Sequence, residues 1–197
     1  MHNYPQIIFS GDMILAAAEM MSPGALPQPT PFNSLIYDGG KMLLNINGVK
    51  KTVVVDLAGL SWPSDQNIAI MLNHDYQPIS VAGNTNKITT DYRTLSCAGL
   101  LYSHCDEYVN RIVQKGRAGF KWKASLGAPM LREEIVPPGR QVVINGQTFT
   151  GPFSIARESQ LIESSIVVFG ASESSSMNIA ARKAPGVTDN SNLIILI

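Results

Sequence analysis

Charge is scarce in this chain. Only 15% of its 197 residues are Asp, Glu, Lys or Arg, against about 25% in an ordinary soluble domain. Fifteen basic residues balance fifteen acidic ones. Without a basic excess there is little to displace counterions from phosphates, which argues against a nucleic-acid binder. Cysteine is scarcer still. Cys97 and Cys105 are too few for a disulfide framework or a cysteine-only zinc site, so a reduced, cytoplasmic setting is the simpler expectation. Long hydrophobic runs are missing as well. Ile14–Ala18 is flanked by Asp12 and Glu19 and lacks a preceding basic region, so it is not expected to act as a secretion signal. Leu193–Ile197 is apolar but far shorter than the ~20 residues a helix needs to cross a bilayer. No membrane span is expected.

What the chain does have is enough apolar material, 45%, to bury one core. Residues 22–31 hold four prolines, which fix φ and remove backbone donors, so residues 1–31 read as an arm or linker. From Phe32 onward short apolar runs alternate with turn signals. Leu35–Tyr37, Met42–Ile46 and Thr52–Val55 are separated by Asp38-Gly39-Gly40 and by Asn47-Gly48. Asn-Gly between two such runs favours a tight hairpin, because both central residues must take positive φ. Asn145-Gly146 repeats the signal between Gln141–Ile144 and Gln147–Phe149. Ile79–Ala82, Lys87–Thr90, Thr94–Leu101, Phe120–Leu126 and Gln160–Phe169 complete the expected strands. One good helix stands among them, capped by Asp106, carrying Tyr108, Val109, Ile112 and Val113 at helical spacing, and closed by Gly116. The fold class is therefore mainly β with a few helices (α+β), with a domain over 32–171. The Ser-rich stretch that follows reads as a tail over 172–197, with one short helix near Ile179–Arg182.

Three histidines limit the acid–base candidates. His2 lies at a terminus, His104 sits beside Cys105, and His74 ends an apolar run in Met71-Leu72-Asn73-His74-Asp75. The bland reading of His74 is a satisfied structural residue. Among 18 serines Ser125 has a distinctive setting. In Lys121-Trp122-Lys123-Ala124-Ser125-Leu126, strand alternation sends Trp122, Ala124 and Leu126 to one face and the serine to the polar other. Gly127 then lets backbone come close to a bound group. Lys123 stands where the Gly-x-Ser-x-Gly elbow of α/β-hydrolases requires glycine, which disfavours that family. Glu163 is a carboxylate inside an apolar strand, a costly place unless it is paired. It is either an edge charge that discourages aggregation or an acid that orients a histidine. His74-Asp75 with His104-Cys105 matches no zinc spacing, so neither a metal nor a cofactor is expected.

Three segments together resemble the prohead (capsid-maturation) serine proteases of tailed phages, whose fold is similar to that of the herpesvirus assemblins. Leu72-Asn73-His74-Asp75, followed by Pro78-Ile79 and a strand, looks like the family's histidine motif. The helix ending Lys115-Gly116 leads into Lys121–Gly127, similar to the nucleophile strand. Leu161-Ile162-Glu163-Ser164-Ser165-Ile166-Val167-Val168, with Ala171 soon after, resembles the family's Leu-x-Glu-x-Ser-x-Val strand. The resemblance covers roughly residues 40–171, and the order of the motifs makes it specific. Pro137–Pro152 is an insertion that lengthens the gap between nucleophile and acid.

The resemblance implies a closed or nearly closed antiparallel β-barrel flanked by helices. It also implies a serine endopeptidase with His74 as base, Ser125 as nucleophile and Glu163 as orienting acid. Its substrates would be phage scaffold and major capsid proteins, and the chain itself, inside a procapsid assembling in the host cytoplasm. Neither nucleic acid nor membrane is an expected partner, and a homodimer is the implied assembly. The oxyanion donor is sought at Gly170-Ala171 or Arg157. The rival readings are a catalytically inactive β-rich capsid or scaffold-associated protein and a hydrolase of small esters.

Overall fold

The computed structural model describes residues 28–46, 49–170, 172 and 174–179, which form fourteen strands and one α-helix. In chain order these begin with β1 (Thr30–Tyr37), β2 (Met42–Ile46), β3 (Val49–Val55), β4 (Leu60–Ser61) and β5 (Ala69–Leu72). Next come β6 (Val81–Thr90), β7 (Leu95–Leu101), α1 (Glu107–Arg117), β8 (Lys123–Gly127) and β9 (Met130–Val136). The last are β10 (Gln141–Ile144), β11 (Gln147–Thr150), β12 (Phe153–Gln160), β13 (Glu163–Val167) and β14 (Ser176–Ile179).

Seven strands make the first sheet, in the order β14-β1-β7-β6-β5-β13-β8. Its two ends approach each other, and Met177 of β14 donates its N–H to the carbonyl of Trp122, just ahead of β8, at 3.1 Å. The fold is thus mainly β, with a nearly closed and largely antiparallel barrel flanked by a helix. One pairing inside the barrel is parallel, β13 with β5. The second sheet runs β2-β3-β12-β4, with β9 also paired to β12. Besides α1, the described residues hold two 3₁₀ turns, Leu57–Gly59 and Pro78–Ser80.

Local chemistry accounts for these elements. In β7 the side chains alternate strictly between buried and half-buried, with Leu95, Cys97 and Leu101 facing the core. Asp106 caps α1 by accepting from the Val109 N–H at 2.9 Å, and the helix buries Val109, Ile112 and Val113. Trp122 Nε1 donates to the Ile112 carbonyl at 3.0 Å and fastens the helix to the entrance of β8. The Thr30-Pro31 pair, expected in the arm, already belongs to β1. The expected strand at Ile79–Ala82 begins as the second 3₁₀ turn and becomes β6 only at Val81.

The Pro137–Pro152 segment, expected as an insertion, holds a two-stranded hairpin of β10 and β11. Ile144 pairs with Gln147 across Asn145-Gly146, whose φ values of 52° and 73° are both positive, as the Asn-Gly signal requires. Phe153, Ile155 and Val54 of the second sheet pack with Val136 and Ile144 in a small separate core, with Val142 and Phe149 beside them. The other expected hairpin turn, Asn47-Gly48, lies outside the described residues, but Ile46 pairs with Val49 across it. Ser176–Ile179, expected as tail, pairs with β1 as a strand of the first sheet. The short helix expected near Ile179–Arg182 falls on a strand residue and on residues beyond the described ones.

Asn145 ties the hairpin tip to the body. It accepts from the Leu57 N–H at 3.0 Å and donates to the carbonyls of Gly39 at 3.1 Å and Val55 at 2.8 Å. Asn145→Ala removes all three bonds and leaves a positive φ that alanine disfavours. It is expected to lower unfolding stability by roughly 2–4 kcal/mol, read as a fall in the urea midpoint at unchanged slope.

Candidate active site

The site grows from the start of β13. All five residues of this strand are buried, because it lies between β5 and β8 with both faces covered. Glu163 is therefore no edge charge. It is 2% exposed, and its two carboxylate oxygens are each met by a donor. Oε1 lies 2.7 Å from His74 Nδ1, and Oε2 accepts from the Ser165 hydroxyl at 2.8 Å. Room for the carboxylate comes from the neighbouring strand. Gly127 of β8 is the register partner of Glu163. A Cβ there would stand 2.6 Å from Glu163 Cδ and closer still to Oε1. Gly127 was expected to admit a bound group; its glycine instead admits the acid of the site itself.

His74 reaches Glu163 through a sharp turn. β5 and β13 run parallel, with Ala69 beside Glu163 and Leu72 beside Ile166. A straight continuation of β5 would carry residue 74 about five positions past Glu163, roughly 16 Å at the usual rise. The chain reverses instead. Asp75 donates its N–H to the Leu72 carbonyl at 3.0 Å, and the two central residues, Asn73 and His74, have φ of 54° and 56°. This left-handed turn folds His74 back over the sheet, where its backbone N–H donates to Ser165 Oγ at 3.0 Å. A carboxylate only accepts, so Nδ1 carries the proton in this bond, and in the neutral form of the ring the lone pair is then on Nε2. The imidazole is about one-third exposed while its acid is shielded, 36% against 3% for the side chains.

Ser125 lies directly across from Ser165 in the β8–β13 pairing, so its side chain shares a face with Ser165 and Glu163. The expectation of an open polar face is corrected here. Ala124 is fully buried and Ser125 is 8% exposed, because β8 is covered on both sides. Ser125 nevertheless opens onto a pocket of 670 Å³ that His74 also lines. Among the described residues no hydrogen bond joins its hydroxyl to the imidazole. Of the three residues named from the sequence, His74 and Glu163 are therefore bonded to each other, and Ser125 lines the pocket that His74 lines.

Two neighbours escaped the sequence reading. Ser165 joins acid and histidine through one buried hydroxyl, a role that needs the β5 turn to be known. Tyr76, exposed two residues after His74, has its phenol held above the usual range by partial desolvation and by the Glu163 carboxylate. Arg157 is not an oxyanion donor. Its Nε donates to Glu134 at 2.8 Å and its Nη1 to Asp56 at 2.9 Å. Since Ala156 lines the pocket, strand alternation turns Arg157 to the opposite face. Gly170 does line the pocket, whereas Ala171 is outside the described residues. His104 packs edge-on against Tyr102, and among the described residues no group of three or more metal-ligating side chains gathers. Neither cysteine is in a disulfide: Cys105 is exposed, and burial pushes the Cys97 thiol up to about 12.

Gly127→Ala is expected to displace the Glu163 carboxylate, and Ser165→Ala to free one side of it. Either change should weaken the Nδ1 bond, read as an upfield move of the His74 Nδ1 proton resonance. An unmoved resonance in both variants would mean that the acid does not need this cradle. No family model, no curated protein and no solved structure matches the chain, so the reading of the site rests on its own geometry.

Proposed function

We propose that the protein is a serine endopeptidase that cuts scaffold or major capsid protein, and its own chain, inside an assembling phage procapsid. The observation that carries this reading is the bond between the buried Glu163 carboxylate and His74, beside the face that bears Ser125. In the reaction Ser125 Oγ bonds to the peptide carbonyl carbon as its proton passes to His74 Nε2. The C–N bond then breaks and His74 returns that proton to the leaving amine. Water, deprotonated by the same nitrogen, releases the acyl group and restores the hydroxyl. Glu163 keeps the imidazole in the required tautomer and stabilises its cation, while Ser165 holds both from behind.

The hydroxyl and imidazole are unbonded at rest, a looseness common in triads without substrate. The same observation favours a second reading, an inactive β-rich protein of the capsid or scaffold. A fluorophosphonate probe separates the two. Labelling of the wild type that disappears in Ser125→Ala supports the peptidase, and no labelling favours the inert protein.

With co-expressed scaffold as substrate, Ser125→Ala should lower kcat by on the order of 10⁶-fold, and Glu163→Gln by roughly 10⁴-fold. Both variants should keep the wild-type far-UV circular dichroism spectrum. Scaffold cleavage by Ser125→Ala at the wild-type rate would remove this serine from the mechanism.

A further inference from the structure

The pocket beside Ser125 carries information about what it accepts. Its walls are Met42, Leu44 and Val53 of the second sheet and Leu126, Ala128 and Met130 around β8 and β9. Among the described residues His74 and Ser125 are its only polar side chains, and none of them brings a carboxylate, ammonium or guanidinium to its wall. A charged side chain entering such a space would lose its hydration without gaining a partner, whereas an aliphatic or aromatic one would gain from leaving water. At 670 Å³ the pocket exceeds what a single methyl group would fill and lies in the range of sites that hold substantial ligands.

The pocket also meets the edge of a strand. Met42, Leu43 and Leu44 are consecutive in β2, and their side chains must alternate between faces, yet all three line it. That happens where a cavity runs along the strand's rim. Among the described residues β2 pairs only with β3, so no described strand lies along its other edge, whose backbone groups are of the kind that pair with an added strand.

We infer that the site takes an extended polypeptide segment, its backbone along the edge of β2, with a large apolar side chain in this pocket within two residues of the bond to be cut. The inference rests on the peptidase reading, because the pocket gains its meaning from the nucleophile and base at its wall. It narrows that reading from any peptide to apolar, extended ones. It also sets the substrate apart from small esters, which have no backbone to lay along a strand.

The test uses the full chain with a mixed library of unmodified peptides, cleavage sites being mapped by mass spectrometry and Ser125→Ala serving as blank. Leu, Ile, Met or Phe should be enriched about 10-fold within two residues of the cut bonds, and Asp, Glu, Lys and Arg depleted there. Met130→Glu, a change at a half-buried wall position, should raise cleavage beside Lys and Arg at least several-fold. Cleavage without an apolar preference, or centred on charged residues, overturns the inference and leaves the peptidase reading standing. Absence of both cleavage and fluorophosphonate labelling in the wild type overturns the peptidase reading and the inference with it. If Met130→Glu does not fold, the wild-type profile alone decides.

Discussion

A carboxylate taken out of water loses several kcal/mol of hydration unless donors replace it, and Glu163 lies on an interior strand with almost no exposed surface. Each feature around it serves that requirement. Ser165, two residues on and on the same face, supplies one donor. The imidazole supplies the other, which requires a histidine brought in from another strand. The opposing position on β8 must then be glycine, because any side chain there would occupy the volume of the carboxylate. A residue that would be unfavourable alone becomes the point on which three segments agree.

The turn after β5 is the most strained part of this arrangement. Two consecutive non-glycine residues at positive φ are uncommon, and each left-handed residue costs on the order of 1 kcal/mol. Asn and His are among the side chains that tolerate this region best. The Asp75 N–H to Leu72 bond, the Asn73 N–H to Ile166 bond and the His74 N–H to Ser165 bond hold the turn in place. Asp75 braces its far side by accepting from the Ser80 hydroxyl at 2.5 Å and the Gln77 N–H at 3.3 Å. Fixing the ring by backbone as well as side-chain contacts presents Nε2 in one orientation, which in the proposed reaction would lower the entropy that a loose histidine loses.

The sequence revealed local events better than distant ones. Asn145-Gly146 could be read because a type of turn demands particular residues, and α1 because its cap and apolar spacing are contained in a dozen positions. His74, Ser125 and Glu163 stood out as chemistry misplaced among apolar neighbours. β9 and β12 were not read as strands. β9 carries Arg132, Glu133 and Glu134 in a row, and β12 places Arg157 and Glu158 near its end, patterns that look like surface until their ion pairs with Asp56 and with each other are known. The same distance hid the true work of Gly127 and misassigned Arg157. In each case the decisive partner lies on another strand, set by register rather than by neighbouring residues. The tail suffered likewise, since only β1 gives Ser176–Ile179 a reason to be a strand.

The parts of the site differ in how far they can adjust, and this constrains any route from the resting geometry to a reactive one. β8 and β13 are paired along five residues, so the Ser125 backbone is fixed relative to Glu163 by the sheet itself. The carboxylate is confined by Gly127 and Ser165. What remains free is rotation of the Ser125 hydroxyl about its own side-chain bond and a small tilt of the partly exposed imidazole. Neither requires the barrel to move. If the proposed peptide segment lies beside β2, it would displace water from the pocket and strengthen an approach of hydroxyl to ring in the drier space. On the peptidase reading proposed above, alignment of hydroxyl and imidazole would be a local step, taken on a frame already fixed by the β8–β13 pairing.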